Sequence, residues 1–448
     1  MNLFANKPGL PFLLYIPILL TISLLLPLTV SCSQITATTP ENVTVVWAKT
    51  LAGYYFDQSN GLALDHLGNI YIVGDSYGTI EGNTAVGAGD ILVAKFNSTG
   101  NVLWVRFMGT SFIEDGNAIA VDSSGNVYIT GKTYTTGSLE GQISSGSGDV
   151  VIAKYDTDGN LGWVRLLGSS DGEEGHSIVF DPSGYLYIAG DTCGTLDGNS
   201  PLESEDIFLA KYDINGNKIW VKLLGSTRYA RSPDIALNAE GNILMTGYTQ
   251  GNVGSQTNTG EEDIILAKFD KDGNQKWVKL LGTYTRDIAN AIALDASQNI
   301  YITGYSYGNL GGITNEGWAD TFVMKCDSSG NVRWISGLGS TESDIPSDLA
   351  VDSDGSIYVS GGTDKLQDDN NNTNSGIFLL KYNENGDREW IKLFGTTSYD
   401  YGTGIAVDAS SYLYITGNTR GNLQGNTNAG WDDIFLMKLK PQDTPTNN

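Results

Sequence analysis

The run AKYDTDGNLGWVRLLG at residues 153–168 is followed, 57 residues later, by AKYDINGNKIWVKLLG at 210–225. Each begins as an apolar stretch, breaks at Asp-x-x-Gly-Asn and resumes at a tryptophan. Aspartate bonds its own backbone and glycine takes positive φ without steric cost, so the break is a tight turn between two strands. Working outward, the tryptophan recurs at Trp47, Trp104, Trp163, Trp220, Trp277, Trp334 and Trp390, spaced by 57, 59, 57, 57, 57 and 56 residues. A fixed period of this length marks a repeat array whose copies stack on one another. Trp318 and Trp431 fall outside the series and share a second phase, in EGWAD and AGWDD.

Each period holds four strand signals. In the fifth copy AIALD (291–295) leads through the turn ASQN to IYITG (300–304); a long Gly/Asn-rich loop precedes DTFVMKCD (320–327), and the turn SSGN leads to WISGLG from Trp334. Short apolar or β-branched runs between Gly, Asn and Asp clusters are strands and hairpins. After the first 32 residues no segment shows a helical period. Seven four-stranded units predict an all-β, seven-bladed β-propeller.

The strands fit that fold. DIFLAKYD (206–213) is apolar on both alternating faces, as a sheet covered on both sides requires. The tryptophan opens the fourth strand and is expected between adjacent blades, where one buried ring contributes roughly 4–6 kcal/mol as an upper figure. The first copy begins at its fourth strand, and the last stops after its third, IFLMKLK (434–440). The strand around Trp47 should therefore pair with residues 434–440 and close the ring, covering an open sheet edge.

Composition agrees. Glycine is 56 of 448 residues, an excess that supplies many turns, and 40% hydrophobic residues suffice for a large core. A net charge of -25 repels a phosphate backbone and argues against nucleic-acid binding.

Residues 11–32, PFLLYIPILLTISLLLPLTVSC, follow a single lysine and are almost wholly apolar. They read as a secretory signal, residues 1–32, with an uncleaved membrane anchor as the alternative. The end, Leu28-Thr29-Val30-Ser31-Cys32, resembles the lipobox of bacterial lipoproteins, with Thr29 where an aliphatic residue is usual; Cys32 is then the lipidated residue. This implies a membrane-anchored, extracytoplasmic protein at an outer membrane or cell surface, with a tether at 33–45, a propeller at 46–440 and a tail at 441–448. Cys326 replaces an aromatic in VMKCD and reads as a small buried hydrophobe, and Cys193 as a lone loop thiol.

GIAVDASSYLYITG (404–417), DDIFLMK (432–438) and AKYDxxGNxxWVKLLG together resemble the SBBP repeat, the seven-bladed β-propeller repeat of bacterial and archaeal surface proteins, over about residues 46–440. The resemblance implies a lipoprotein or cell-surface protein without an assigned reaction. A second likeness, to the tryptophan-docking motif of quinoprotein dehydrogenases, matches at Ala153, Gly159 and Trp163, but Asp156 is one place late.

Chemistry-bearing motifs are few. His66 lies in the turn DHLGN and His176 in EEGHSIVF; a Ser-His-Asp set around His176 and Ser177 competes with a surface or capping role. Asp156-Thr157-Asp158-Gly159, Asp270-Lys271-Asp272-Gly273 and Asp352-Ser353-Asp354-Gly355 resemble calcium loops, but an EF-hand's twelfth position holds Leu167, Leu281 or Thr363, and turn chemistry explains them better. No cofactor is expected, calcium being the one open possibility. Asp90, Asp149, Asp206, Asp263, Asp320 and Asp433 precede the third strand, Gly376 replacing them in the sixth copy; a lysine follows five residues later in all seven, from Lys95 to Lys438. An odd spacing puts the two on opposite strand faces, so each is expected to pair with a neighbouring blade.

In a propeller the long connections share one rim, here including residues 78–90, 251–263 and 421–433, and function favours long loops on a rigid scaffold. Trp318, Trp431, Tyr77 and Tyr307 on that rim are the candidate binding residues for a protein or carbohydrate, with burial in the blade as the structural alternative. The expectation is a monomeric propeller serving as an interaction platform. The rival readings are an enzyme with its site at the axis, a quinoprotein or a lyase, and a structural surface-layer component.

Overall fold

The computed structural model describes residues 42–372 and 375–442; the apolar leader, Cys32, and most of the tether and tail lie outside them. Residues from Glu41 onward form one compact unit. It is a ring of seven antiparallel four-stranded sheets. Blade 1 comprises Asp57–Leu64, Ile70–Ser76, Asp90–Phe96 and Val102–Met108, adjacent in space in chain order. Blades 2 to 6 repeat this from Glu114, Glu173, Ala230, Asp287 and Asp344.

Blade 7 is built from both ends of the ring. Its first three strands are Asp400–Val407, Leu413–Thr419 and Asp433–Pro441, and its fourth is Val43–Leu51. The register runs from Val43 opposite Pro441 to Leu51 opposite Ile434, with Trp47 opposite Lys438. This is the closure that the phase of the two chain ends predicts.

The first strands face the axis, each meeting the first strand of the next blade, and that of blade 7 meets that of blade 1. Second and third strands are covered on both faces; Ile70–Ser76 and Asp90–Phe96 are buried throughout. Each long connection also sends one aliphatic side chain inward at the same phase: Ile80, Leu139, Leu196, Val253, Leu310, Leu366 and Leu423 are all buried. This column, which sequence reasoning missed among the Gly/Asn-rich loops, pins the rim to the core.

The seam between blades explains the repeated phrase. Trp104 donates Nε1–H to the Thr157 carbonyl of the next blade's turn at 3.1 Å, as Trp163 does to Ile214 and Trp334 to Glu384. The turn glycine lies against the ring: a Cβ on Gly159 would stand 2.7 Å from Trp104, and one on Gly216 2.9 Å from Trp163. Gly159 also has φ of 77°, so two constraints demand glycine there. Gly159→Ala should cost more than Gly184→Ala, since Gly184 has φ of 92° but open space around its Cβ position. The positive φ alone costs roughly 1–2 kcal/mol. Urea unfolding of both variants checks this; equal losses would remove the tryptophan contact from the explanation.

Three of the seven lysines, Lys95, Lys211 and Lys325, reach across the seam, whereas Lys381 and Lys438 pair within their own blades, with Glu389 at 2.8 Å and Asp408 at 3.9 Å. Lys95 donates to the Thr157 carbonyl at 3.0 Å, and Lys211 to the Lys271 carbonyl at 3.0 Å. The aspartates do not. Each is buried and closes the last turn of its own long loop by accepting an amide four residues back, Val86 for Asp90 at 2.6 Å and Ala429 for Asp433 at 2.7 Å. A second acidic column, at Asp57, Glu114, Glu173, Asp287, Asp344 and Asp400, does the same for the connections between blades, as Glu114 does for Thr110 at 2.7 Å. Its other oxygen accepts a hydroxyl from the second strand, Thr133 for Glu114 at 2.9 Å. The carboxylates thus hold the loop rim, and three of the lysines tie one blade to the next.

Candidate functional site

Each first strand carries a bulge partway along, between Ser59 and Gly61 in blade 1 and between Gly175 and Ser177 in blade 3. A bulge re-aims the extra residue. The bulged residues include Asn60, Asn117, His176, Asn290, Ser347 and Thr403, and they line one cavity of about 400 Å³ together with Asp234 and Asp348. All seven blades contribute to this axial channel.

Two carboxylates tie the channel wall. Asp234 accepts the Ser177 hydroxyl of blade 3 at 2.7 Å, its own strand's Ile235 amide at 2.9 Å and the Ile292 amide of blade 5 at 2.9 Å. Asp348 accepts the amides of Leu349 at 2.7 Å and of Ile405 in blade 7 at 2.9 Å. Burial raises both above the ordinary aspartate range, Asp348 to about 7 despite its amide donors. His176 turns elsewhere, to Asp191 at 2.7 Å. Burial works against its charged ring, but the nearby carboxylates of Asp191 and Glu174 outweigh it and raise its pKa. Ser177 and His176 therefore bond to different carboxylates, and they do not form a nucleophile and base with each other. Among the described residues no group of three or more His, Cys, Asp or Glu is arranged to hold a metal ion.

Above the channel, on the long-loop side, the ends of first and second strands pair as Gln58 with Asp75, Asp115 with Lys132, Glu174 with Asp191, Arg231 with Tyr248, Ile288 with Tyr305, Ile345 with Gly362, and Tyr401 with Asn418. The scaffold repeats, but these positions do not. Charge is confined to blades 1 to 4, and blades 5 to 7 present tyrosine, isoleucine, glycine and asparagine.

Asp75, only 6% exposed, is pushed to about 7 by burial and by the neighbouring Asp115, with the Asn60 side-chain amide partly offsetting this. An unfolded aspartate titrates near 3.9. The folded protein thus holds this proton between about 4 and 7, and stability falls as pH rises through that window. Blade 7 carries Asn418 at the equivalent place, so Asp75→Asn should fit. It is expected to raise the melting temperature at pH 8 and leave it nearly unchanged at pH 4, an effect on the order of 2 kcal/mol at the alkaline end. Equal shifts at both pH values would contradict this reading of Asp75.

Every aromatic side chain that is exposed among the described residues lies on the long-loop face or its blade-to-blade connections: Tyr54, Tyr55, Phe56, Phe112, Tyr134, Tyr284, Tyr307, Trp318, Tyr399 and Trp431. Trp318 is 69% exposed and Trp431 62% exposed. Trp431 stacks on Phe56 with ring centroids 5.5 Å apart, and Phe56 meets Tyr77 edge-on at 6.4 Å. The structure thus gathers Trp431 and Tyr77 into one cluster across the closure between blades 7 and 1, and leaves Trp318 and Tyr307 on blade 5. His66 is an exposed turn residue on the opposite, hairpin side. The motif Asp156, Asp158, Gly159 is an ordinary turn in which Asp156 accepts the Asp158 and Asn160 amides at 2.9 and 2.8 Å.

Comparison with known proteins places this architecture. Residues 47–80, 103–137, 162–196, 276–311 and 389–424 each match the SBBP family, described as a beta-propeller repeat. Five of the seven repeats thus contain a segment that matches the SBBP beta-propeller repeat. In each match the segment begins on or beside the seam tryptophan and runs through the next first and second strands, so the SBBP unit straddles two blades of the ring. The chain is 24% identical to an uncharacterized WD repeat-containing protein of Acanthamoeba polyphaga mimivirus over 83% of its length, and 23% identical to the regulatory protein FlaEY of Caulobacter vibrioides over 77%. It spans 36% and 41% of those relatives' own lengths. Among solved structures, a puromycin hydrolase superposes with a TM-score of 0.50 at 11% identity, covering 82% of this chain and 51% of that protein, which is a likeness of fold.

Proposed function

We propose that this SBBP propeller is an extracytoplasmic interaction platform, held at a membrane through Cys32, that receives a protein partner on its long-loop face and catalyses no reaction. The observation that carries the reading is the one-sided distribution of exposed aromatics beside an axial mouth whose side chains differ from blade to blade. Aromatic anchors beside polar groups are the usual composition of protein-recognition surfaces. Among relatives, a WD repeat-containing protein and a regulatory protein fit an interaction role.

Capture from extracytoplasmic extracts tests it. Residues 33–448 should retain a partner that the Trp318→Ala/Trp431→Ala double variant loses, both baits being checked for a cooperative melt. A partner held equally by both would remove the long-loop face from the account. Separately, the full chain expressed with Cys32→Ala should leave the membrane fraction and no longer incorporate a labelled fatty acid. Unchanged fractionation would contradict the lipid anchor.

A further inference from the structure

Blade 6 departs from its sisters at two positions that meet in space. Where the third strand of every other blade begins with aspartate, blade 6 has Gly376. Where the other second strands carry Asp75, Lys132, Asp191, Tyr248, Tyr305 and Asn418, blade 6 has Gly362. Both glycines line one pocket of about 90 Å³ at the seam between blades 6 and 7, on the long-loop face. A Cβ on Gly362 would stand 2.1 Å from the Tyr401 ring, so the missing side chain is what lets that ring lie there. Tyr399 and Tyr401 stack parallel along the blade 7 side, with centroids 6.5 Å apart.

The charge of this pocket is one-sided. Its lining contains two carboxylates, Asp364 and Asp400, and no basic residue. Asp400 is occupied by the Thr396 amide and hydroxyl and by the Thr419 hydroxyl. Asp364 is exposed, and its carboxylate has no partner among the described residues. The nearby cations are engaged elsewhere: Arg420 is paired with Asp432 at 2.6 Å, and the Lys365 ammonium lies 3.2 Å from the Thr341 hydroxyl. The Tyr399 ring already seats the Arg420 guanidinium at 5.2 Å, and Tyr187 seats Lys211 at 5.1 Å, so tyrosine faces hold cations elsewhere in this molecule.

We infer that the pocket is a socket for one cationic side chain, lysine or arginine, of the protein partner. The inference rests on the platform reading for its partner, but the socket can be tested without one. Its volume is well below the roughly 150 Å³ that takes a benzene ring, so it admits the end of a single chain-like group. The aliphatic stem would lie against Gly362 and the tyrosines, and the charge would meet the Asp364 carboxylate, which has no partner among the described residues.

The test uses isotope-labelled residues 33–448 and three probes, the Nα-acetyl amides of lysine, arginine and norleucine, with the amide resonances of Gly362 and Gly376 followed by NMR. A lone side chain should bind in the millimolar range. Lysine or arginine should shift both resonances, norleucine should not, and added salt should weaken the effect. Asp364→Asn, an exposed substitution, should weaken binding by about fivefold, and Tyr399→Ala similarly. Equal shifts by norleucine would show a plain apolar hole and overturn the cationic assignment. No shift with any probe, or full binding by Asp364→Asn, would overturn the socket. Either failure leaves the capture experiment with the tryptophan variant standing on its own result.

Discussion

A chain from which residues 42–51 are deleted is expected to lose its cooperative thermal transition. Val43–Leu51 is the fourth strand of blade 7, and its loss bares the edge of Asp433–Pro441 over the whole register from Ile434 to Pro441. The damage reaches both seams of that blade. Val43 and Val45 belong to the cluster that buries Trp390, whereas Leu51 and Trp47 join the cluster of Ile434 and Leu436 with blade 1. Each large apolar side chain uncovered costs about 1.5–3 kcal/mol. A handful of them approaches the whole margin of about 5–15 kcal/mol by which domains are stable. The open edge should also template association. Calorimetry and light scattering of the truncated chain check this, and a synthetic peptide of residues 42–51 should restore part of the transition. A truncated chain that melts like the parent would contradict closure by the N-terminal strand.

The second large effect is expected at Trp104. The ring is buried between blades 1 and 2, donates to the Thr157 carbonyl and covers Gly159. Trp104→Ala removes the ring from a seam that cannot collapse, because the blades on either side are held at fixed positions in the circle. Such truncations cost about 3–5 kcal/mol. Trp431→Ala deletes the same side chain from an exposed position stacked on Phe56 and should cost within about 0.5 kcal/mol. Urea unfolding of the pair separates the scaffold tryptophans from the rim tryptophans. Similar losses would mean that Trp431 belongs to the packing after all.

Much of this fold is legible in the sequence because a ring of identical seams must repeat its contacts. The tryptophan and the turn glycine recur at one period since the indole ring of one blade lies against the turn of the next. The phase of the chain ends predicts the closing strand for the same reason. The loop rim is less legible. The first-strand acids from Asp57 to Asp400 resemble ordinary polar residues at strand starts, and only their shared contact with an amide four residues back and a second-strand hydroxyl reveals a column. The buried aliphatic of each long connection, such as Leu196 or Leu423, is one apolar residue in a polar run. A comparison of the seven copies at that phase could have found it.

The axial site escapes sequence reading for another reason. His176, Asn60 and Asn117 reach the channel because a bulge re-aims each first strand, and the alternating pattern of a regular strand assigns them no common face. Their variation among copies looks like noise in the repeat until the ring brings them together. The glycines of blade 6 are similar: Gly362 and Gly376 read as two unrelated lapses, and only the seam between blades 6 and 7 shows that they open one pocket.

Orientation on a surface discriminates the proposed working face, the long-loop face, from the hairpin face. Cys193 is an exposed thiol on that side, so residues 33–448 immobilised through it turn the face toward the support. The Cys193→Ser/Ser183→Cys variant is held instead by the exposed first hairpin turn of blade 3, which presents the long-loop face to solution. Extracytoplasmic extracts should yield a partner on the hairpin-tethered surface and little on the other. Equal capture, or capture only when the hairpin side is free, would contradict it.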